Sequence, residues 1–428
     1  MASFQDRIAA LKWTGRALRY RNYRLFFMGQ GISLIGTWMQ RMALQWFVYN
    51  LTHSPWLLGS LDFAGQIPAL LLAPWAGLAA DRFSRHRLVI ITQCAAMLQA
   101  GLLAALVLTE QVHIWHLFAL SIFLGCINGF DVPLRQSFVS EMVDDRADLG
   151  NAIALNSSVF NGARLIGPSV AGFILAVTSA GVCFLLNSLS YIAVIWALLV
   201  MKVQRREIPR QALAGLQGLF EGVRYVWHFA SLRHLLVNLS LVTLFGGPFM
   251  TLMPVFAKKV LHGGPQTLGL LIATIGVGAI AGAFFLASRK SIYGLDRIIA
   301  VAMSSYAAGL ILFSRSTSLP LSMGLLLFIG LGMMVQMAGT NTLLQMLVED
   351  DKRGRVMSLY AMAFMGSGPL ASLWGGFAAT HIGAPLTVWI GGVLALATAG
   401  LFVTRLPVIR GAICRNQIQE AASVAPAD

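Results

Sequence analysis

Charge is what this chain of 428 residues has least of: Asp, Glu, Lys and Arg together make only 11%, where a soluble domain carries about 25%. So few ionised groups cannot cover a water-facing globular surface. Catalytic signatures are missing too. No Gly-Lys-Ser/Thr phosphate loop occurs, so ATP is not expected to drive it, and there is neither a nucleophile elbow nor a carboxylate pair placed for hydrolysis. The four cysteines (Cys94, Cys126, Cys183, Cys414) have no metal spacing and form no disulfide framework. Eight histidines are scattered; His113 and His116 have near-ligand spacing but no third ligand nearby, and read as interfacial anchors. No enzyme, catalytic residue, metal site or cofactor is expected. No cleavable signal peptide is expected either, because residues 1–24 are basic and interrupted and the first apolar run is long enough to stay as a helix.

Apolar sequence is what there is. Hydrophobic residues make 57% of the chain, the mean hydropathy is +0.72, and stretches of about 20 apolar residues, enough to cross the hydrocarbon core, recur throughout. They predict spans near 24–50, 55–80, 88–109, 114–134, 151–177, 181–201, 233–256, 265–288, 296–314, 318–342, 356–380 and 385–405. The fold class expected is all-α: a polytopic membrane protein with twelve transmembrane helices.

The net charge of +14 raises the question of nucleic acid, and its distribution answers it. With the N-terminus inside, 26 of the 31 Lys and Arg fall in cytoplasmic segments, while only Lys258, Lys259 and Arg315 fall outside. Arg41 and Arg164 lie within spans. That bias places both termini in the cytoplasm and ties the inner face to anionic lipid. No concentrated basic face with readers for bases is present, so nucleic acid is not an expected partner.

The one long charged interruption is 202–232. It reads as a linker to about Pro209, followed by an amphipathic surface helix with Leu213, Leu216, Leu219, Phe220, Val223 and Val226 at helical spacing. The domains expected are an N-terminal bundle at 1–201, the linker at 202–232, a C-terminal bundle at 233–406 and a cytoplasmic tail at 407–428. A faint repeat supports six helices plus six: 135–152 and 341–358 both lead through an acidic loop into another helix, and Gly162 and Gly172 correspond to Gly366 and Gly376.

Residues 77–87, GLAADRFSRHR, form a basic turn between the second and third spans. The spacing G-x3-D-R-x2-R-x-R (Gly77, Asp81, Arg82, Arg85, Arg87) resembles the loop 2–3 signature of the major facilitator superfamily, with Ser84 where a second glycine is usual. The resemblance implies two pseudo-symmetric six-helix bundles, the major facilitator fold, and a cytoplasmic gate held by these residues. Asp131, at the inner end of the fourth span, would join Asp81 and Arg85 in a charge relay.

In the fifth span, Gly162, Gly167 and Gly172 remove side chains from a packing surface, and Pro168 removes a backbone donor and bends the helix. The run resembles the antiporter motif of superfamily exporters, incompletely, because Ala163 fills its first position. Phe130-Asp-Val-Pro-Leu-Arg135, Asn151-Ala-Ile-Ala-Leu-Asn156, Asn22-Tyr-Arg-Leu-Phe and Gly36-Thr-Trp-Met-Gln-Arg41 resemble the enterobactin-exporter-like branch over roughly 20–405. That resemblance implies a proton-driven efflux carrier for siderophores or other amphipathic small molecules.

Ionisable groups inside spans are costly and read as functional. Arg41 and Asp62 stand at depths differing by only about 3 Å at 1.5 Å per residue. Asp62 is the candidate proton-exchanging group, with Arg41 as its counter-charge; the alternative is a permanent structural pair. Arg164, one turn from Asn161, reads as cavity lining, and with Arg41 would meet an anionic cargo. Gln30, Trp38, Gln45 and Gln66 in the first half, and Asn238, Gln336, Asn341, Phe245 and Trp374 in the second, complete the candidate lining.

The reading is an alternating-access exporter in a bacterial inner membrane, powered by the proton gradient with no cofactor, contacting small-molecule cargo and lipid, and acting as a monomer. Two alternatives stay open: multidrug efflux of lipophilic cations, and a non-transporting membrane sensor or assembly partner.

Overall fold

A computed structural model describes residues 15–202, 216–289 and 294–424. Among them the chain is helical nearly throughout and contains no strand. A short turn at Arg16–Arg19 leads to α1 (Arg21–Thr52), α2 (Pro55–Arg82), α3 (Arg85–Leu108), α4 (Ile114–Phe138), α5 (Leu149–Val177) and α6 (Ala180–Val200). The linker helix α7 (Leu216–His228) follows, then α8 (Ala230–Gly246), α9 (Pro265–Ala287), α10 (Leu295–Phe313), α11 (Leu319–Leu347), α12 (Asp350–Ile382) and α13 (Ala384–Val424).

Eleven of these helices are long and apolar enough to cross a membrane. Helix α1 has the length, 32 residues, but Arg21, Arg24, Gln30, Gln40, Arg41, Gln45 and Asn50 dilute its apolar character. Past Gly246 the eighth helix continues only as short turns, because Pro248 and Pro254 lack backbone donors. It ends in a wide π-type turn at Phe256–Val260, which takes up Lys258 and Lys259, expected in an outer loop.

The chain forms two compact units: Met1–Leu51 with Ala64–Ala212 and Gly264–Ala273, and Thr52–Phe63 with Leu213–Gly263 and Thr274–Asp428. Helices α2 and α9 are therefore each divided between the units, which boundaries drawn in sequence between whole helices do not express.

In the first unit, Tyr23, Phe26, Val89, Leu134, Phe138, Val194 and Leu198 form a buried core. Polar side chains tie its helices where lipid offers no hydrophobic drive for association. Asn187 Nδ2 donates to Gln40 Oε1 (2.8 Å), and Gln40 Nε2 donates to Gln99 Oε1 (3.0 Å), linking α6, α1 and α3. In the second unit, Phe249, Phe256, Tyr306 and Phe313 are fully or almost fully buried. Arg410 Nε is paired with Asp296 Oδ2 at 2.6 Å. Helix α7 docks on α12 through Glu221 and Arg355, 2.7 Å apart, with Val226 buried and Trp227 exposed. Leu213 lies outside the described residues, as do the side chains of Leu216, Leu219 and Phe220.

Candidate functional site

Trp38 on α1 organises the first unit's charged centre. The Arg41 guanidinium lies 5.6 Å from its ring centroid and the Arg164 guanidinium 5.7 Å. Helical spacing explains the convergence: Arg41 is three residues beyond Trp38, on the same face of α1. Helix α5 comes close because Gly167 has no side chain; a Cβ there would stand 2.6 Å from Trp38 Cβ and 2.8 Å from the Ile35 carbonyl oxygen. Phe160 packs edge-on against Trp38 at 5.7 Å. Two cations near enough for their charges to repel thus share one indole, an arrangement that cation–π attraction moderates and an anion would neutralise.

Of the α5 motif, Gly167 and Pro168 are buried at this crossing, and Gly172 meets Gly269 and the Pro265 carbonyl of the α9 start within the same unit. Gly162 has open space around it. Asn161 donates to the Ser157 carbonyl on its own helix at 2.9 Å.

At the α2–α3 turn the partners differ from the expected relay. Arg85 Nη1 is paired with Glu141 Oε1 at 3.0 Å, not with Asp131. Asp131 is 5% exposed and has turned into its own bundle. It accepts from Thr92 Oγ1 (2.8 Å) and Gln93 Nε2 (2.7 Å) and pairs with Arg135 Nε (3.1 Å). The α4 helix runs on to Phe138, and a short turn beyond it carries Glu141, ten residues past Asp131, to Arg85. The surroundings of Gly77 and the side chain of Asp81 lie outside what is described; Arg82 and Arg87 are exposed. Ser84 has a positive use: extended at φ −63°, it caps α3 by accepting from the Arg87 amide.

Sequence reasoning also passed over Asp148, which the N-terminal turn grips. Arg16 Nε (2.9 Å), Arg19 Nη2 (2.7 Å) and the Tyr20 hydroxyl (2.9 Å) all reach its buried carboxylate. Arg19 is held protonated, above its ordinary range, by its bond to Tyr20 and by Asp148. An acid flanked in sequence by Arg146 at the start of α5 was the available signal.

In the second unit, Asp62 on α2 accepts from the Ser372 hydroxyl of α12 at 2.5 Å and from the Thr251 hydroxyl at 3.3 Å. Arg41 belongs to the first unit, Asp62 to the second, and Gln66, half-buried on α2, to the first. Asn238 and Gln336, expected in a lining, are only 7% and 3% exposed. Asn238 donates to Met303 Sδ on α10. Gln336 shares a face with Gly332 and Gly339, both of which abut α10. They therefore lie in the packing of the second unit. Trp374 and Phe245, with Trp56, Leu244, Leu370, Leu373, Phe377 and Leu394, line an apolar cleft of about 560 Å³, and the Trp374 indole N–H donates to the Leu244 carbonyl. Among the described residues no His, Cys, Asp or Glu cluster could hold a metal ion.

A family model described as transmembrane secretion effector matches residues 14–424. A staphyloferrin A transporter of Staphylococcus aureus is 26% identical over 89% of this chain and 95% of its own length. The multidrug efflux pump Tap of Mycolicibacterium fortuitum is 23% identical over 89% of this chain and 93% of its own. A bacterial homologue of the lysosomal transporter Spinster, solved in an inward-facing and occupied conformation, aligns at TM-score 0.70 and 12% identity over 92% of this chain and 98% of that one. The chain belongs to the transmembrane secretion effector family, within the major facilitator superfamily, and is a multi-pass membrane transporter rather than an enzyme.

Proposed function

We propose that this transmembrane secretion effector exports an anionic, aromatic, amphipathic small molecule of the catecholate siderophore class in exchange for protons. One observation carries the reading: Arg41 and Arg164 gathered on the face of Trp38, with Phe160 at its edge. Two guanidiniums supply bidentate donors for a carboxylate or catecholate, and the rings offer a stacking surface. Asn161 and Gln66 stand on the same unit's α5 and α2 as further polar contacts. A staphyloferrin A transporter among the relatives supports a siderophore cargo.

Protons are exchanged at Asp62, with Arg41 as the expected counter-charge, and no cofactor takes part. Arg85 and Glu141, with Asp81, Arg82 and Arg87, hold the cytoplasmic gate, and Asp131 braces the bundle behind it. The protein sits in a bacterial inner membrane with both termini in the cytoplasm, a topology supported by the 26 of 31 cations in inner segments, and works as a monomer surrounded by lipid.

A second reading has its own support. The apolar cleft with Trp56, Trp374 and Phe377 suits a lipophilic cation, and two of the relatives are multidrug efflux pumps. Binding separates the two. Quenching of tryptophan fluorescence by a catecholate siderophore, lost in Arg164→Gln, supports the first reading; saturable quenching by tetraphenylphosphonium alone supports the second.

A further inference from the structure

Three side chains from distant parts of the chain close on one another in the second unit. The Thr251 hydroxyl lies 3.0 Å from Ser372 Oγ and 3.3 Å from Asp62 Oδ2, and Ser372 Oγ also donates to Asp62 Oδ2. Asp62 lies 310 residues from Ser372 and 189 from Thr251, so only the tertiary fold assembles this triangle. The backbones around it leave no room for side chains at two glycines. A Cβ on Gly59 would run into the Ser372 carbonyl oxygen, and one on Gly376 would stand 2.8 Å from the Pro55 carbonyl oxygen. Trp56 and Phe377 cover the crossing, their ring centroids 6.1 Å apart.

Hydroxyls that donate to a carboxylate cannot all keep their roles once that carboxylate is protonated. An ionised carboxyl only accepts, whereas a protonated one must also donate. A proton taken up on Oδ2 leaves that oxygen with less room to accept, and Ser372 has a second acceptor to turn to, the Gly368 carbonyl oxygen 3.2 Å away on its own helix. In a segment this tightly packed the change is felt by the helix crossing, since packed interfaces switch between discrete arrangements rather than deform smoothly.

We propose that Ser372 and Thr251 are the positioning residues of the transporter's proton site: they tie the 55–63 segment of α2 to α12 while Asp62 is ionised, and release it on protonation. The proposal rests on the reading of Asp62 as the proton-exchanging group and adds the residues through which its proton is felt.

Among the described residues, the ionisable groups nearest the triangle along its own three helices are few. On α12 the next ionisable group toward that end is His381, nine positions past Ser372, with its ring nitrogen against the Phe377 carbonyl at 2.9 Å. The eighth helix carries Lys258, Lys259 and His262 beyond Thr251, and α2 has no other ionisable residue until Asp81; His53 precedes it. Arg41, which the sequence alone puts at a depth close to that of Asp62, belongs to the first unit, and an Arg41→Gln background removes its contribution.

The test uses the full chain in liposomes, its four cysteines replaced by alanine and spin labels placed at positions 56 and 377. Dipolar broadening in continuous-wave paramagnetic resonance reports their separation without any cargo. The parent should show strong broadening at pH 8 that is lost on acidification. Asp62→Asn should show none at any pH. The double variant Ser372→Ala/Thr251→Val should likewise be pH-independent, and Ser372→Thr should restore the response. A double variant that keeps the parent's pH response overturns the inference and leaves the Asp62 reading standing. A persistent response in Asp62→Asn overturns that reading itself, and a parent with no response overturns the inference.

Discussion

The Arg85 guanidinium and the Glu141 carboxylate meet at 3.0 Å, each side chain about 15% exposed, 56 residues apart in the chain. Their meeting joins the α2–α3 turn to the end of α4 with a single charge-assisted bond. Removing either partner leaves the other charge half-buried. Arg85→Ala and Glu141→Gln should each lower transport strongly, and the exchanged pair Arg85→Glu/Glu141→Arg should recover part of it. Groups in direct contact couple by about 0.5–3 kcal/mol, so a double-mutant cycle on stability in detergent should return about 1 kcal/mol. A zero coupling would show that the pair is incidental.

Trp38 and its two arginines predict a graded loss of affinity. Arg164→Gln removes a charged hydrogen-bond donor, worth about 1.5–3 kcal/mol, so the KM for an anionic aromatic cargo should rise about 10- to 100-fold. Arg164→Lys keeps the charge without the planar fork and should fall between. Trp38→Leu loses ring contacts worth about 0.5–2 kcal/mol and should raise KM severalfold. Initial rates over a range of cargo concentrations in proteoliposomes give all three values.

The glycines of α5 predict opposite outcomes only five residues apart. Gly167→Ala forces a methyl against Trp38 and the Ile35 carbonyl, and overpacking of this kind costs about 1–3 kcal/mol. Gly162→Ala meets nothing within 4 Å and should change stability by no more than about 0.5 kcal/mol. Thermal unfolding in detergent, followed by tryptophan fluorescence, distinguishes them.

Asp148 predicts the behaviour of the N-terminal turn. Asp148→Asn removes the charge that Arg16 and Arg19 both reach and leaves Tyr20 a weaker acceptor. The loss of two charge-assisted bonds should free the turn at Arg16–Arg19, so trypsin should cleave there several times faster in inside-out vesicles, with the helices beyond Arg21 still protected.

Hydropathy made eleven of the twelve expected spans legible as apolar helices, because lipid demands about 20 apolar residues from each; α1 has the length without the apolar character. Hydropathy did not mark helix ends. Helix α13 runs to Val424, past the expected end near 405, and α12 begins at Asp350 rather than near 356, because a helix leaving the bilayer can continue in water. The same habit hid Glu141: the fourth span was expected to end near 134, so an acid seven residues on read as loop. Arg41, Arg164 and Asp62 were found because charge inside a span is costly and few residues carry it. Their surroundings were out of reach. The bond of Asp62 to Ser372 crosses 310 residues, and the burial of Asn238 and Gln336 depends on which face of each helix turns to α10. Membrane helices apolar on every side carry no periodicity that reveals it.

The most direct test of proton-coupled export uses purified protein in liposomes with an imposed pH gradient and a pH dye inside. A catecholate siderophore and tetraphenylphosphonium are added separately, to the wild type and to Asp62→Asn. The account predicts proton movement on adding the siderophore to the wild type, and none with Asp62→Asn. Equal proton movement in Asp62→Asn, or a response to the cation alone, would contradict it.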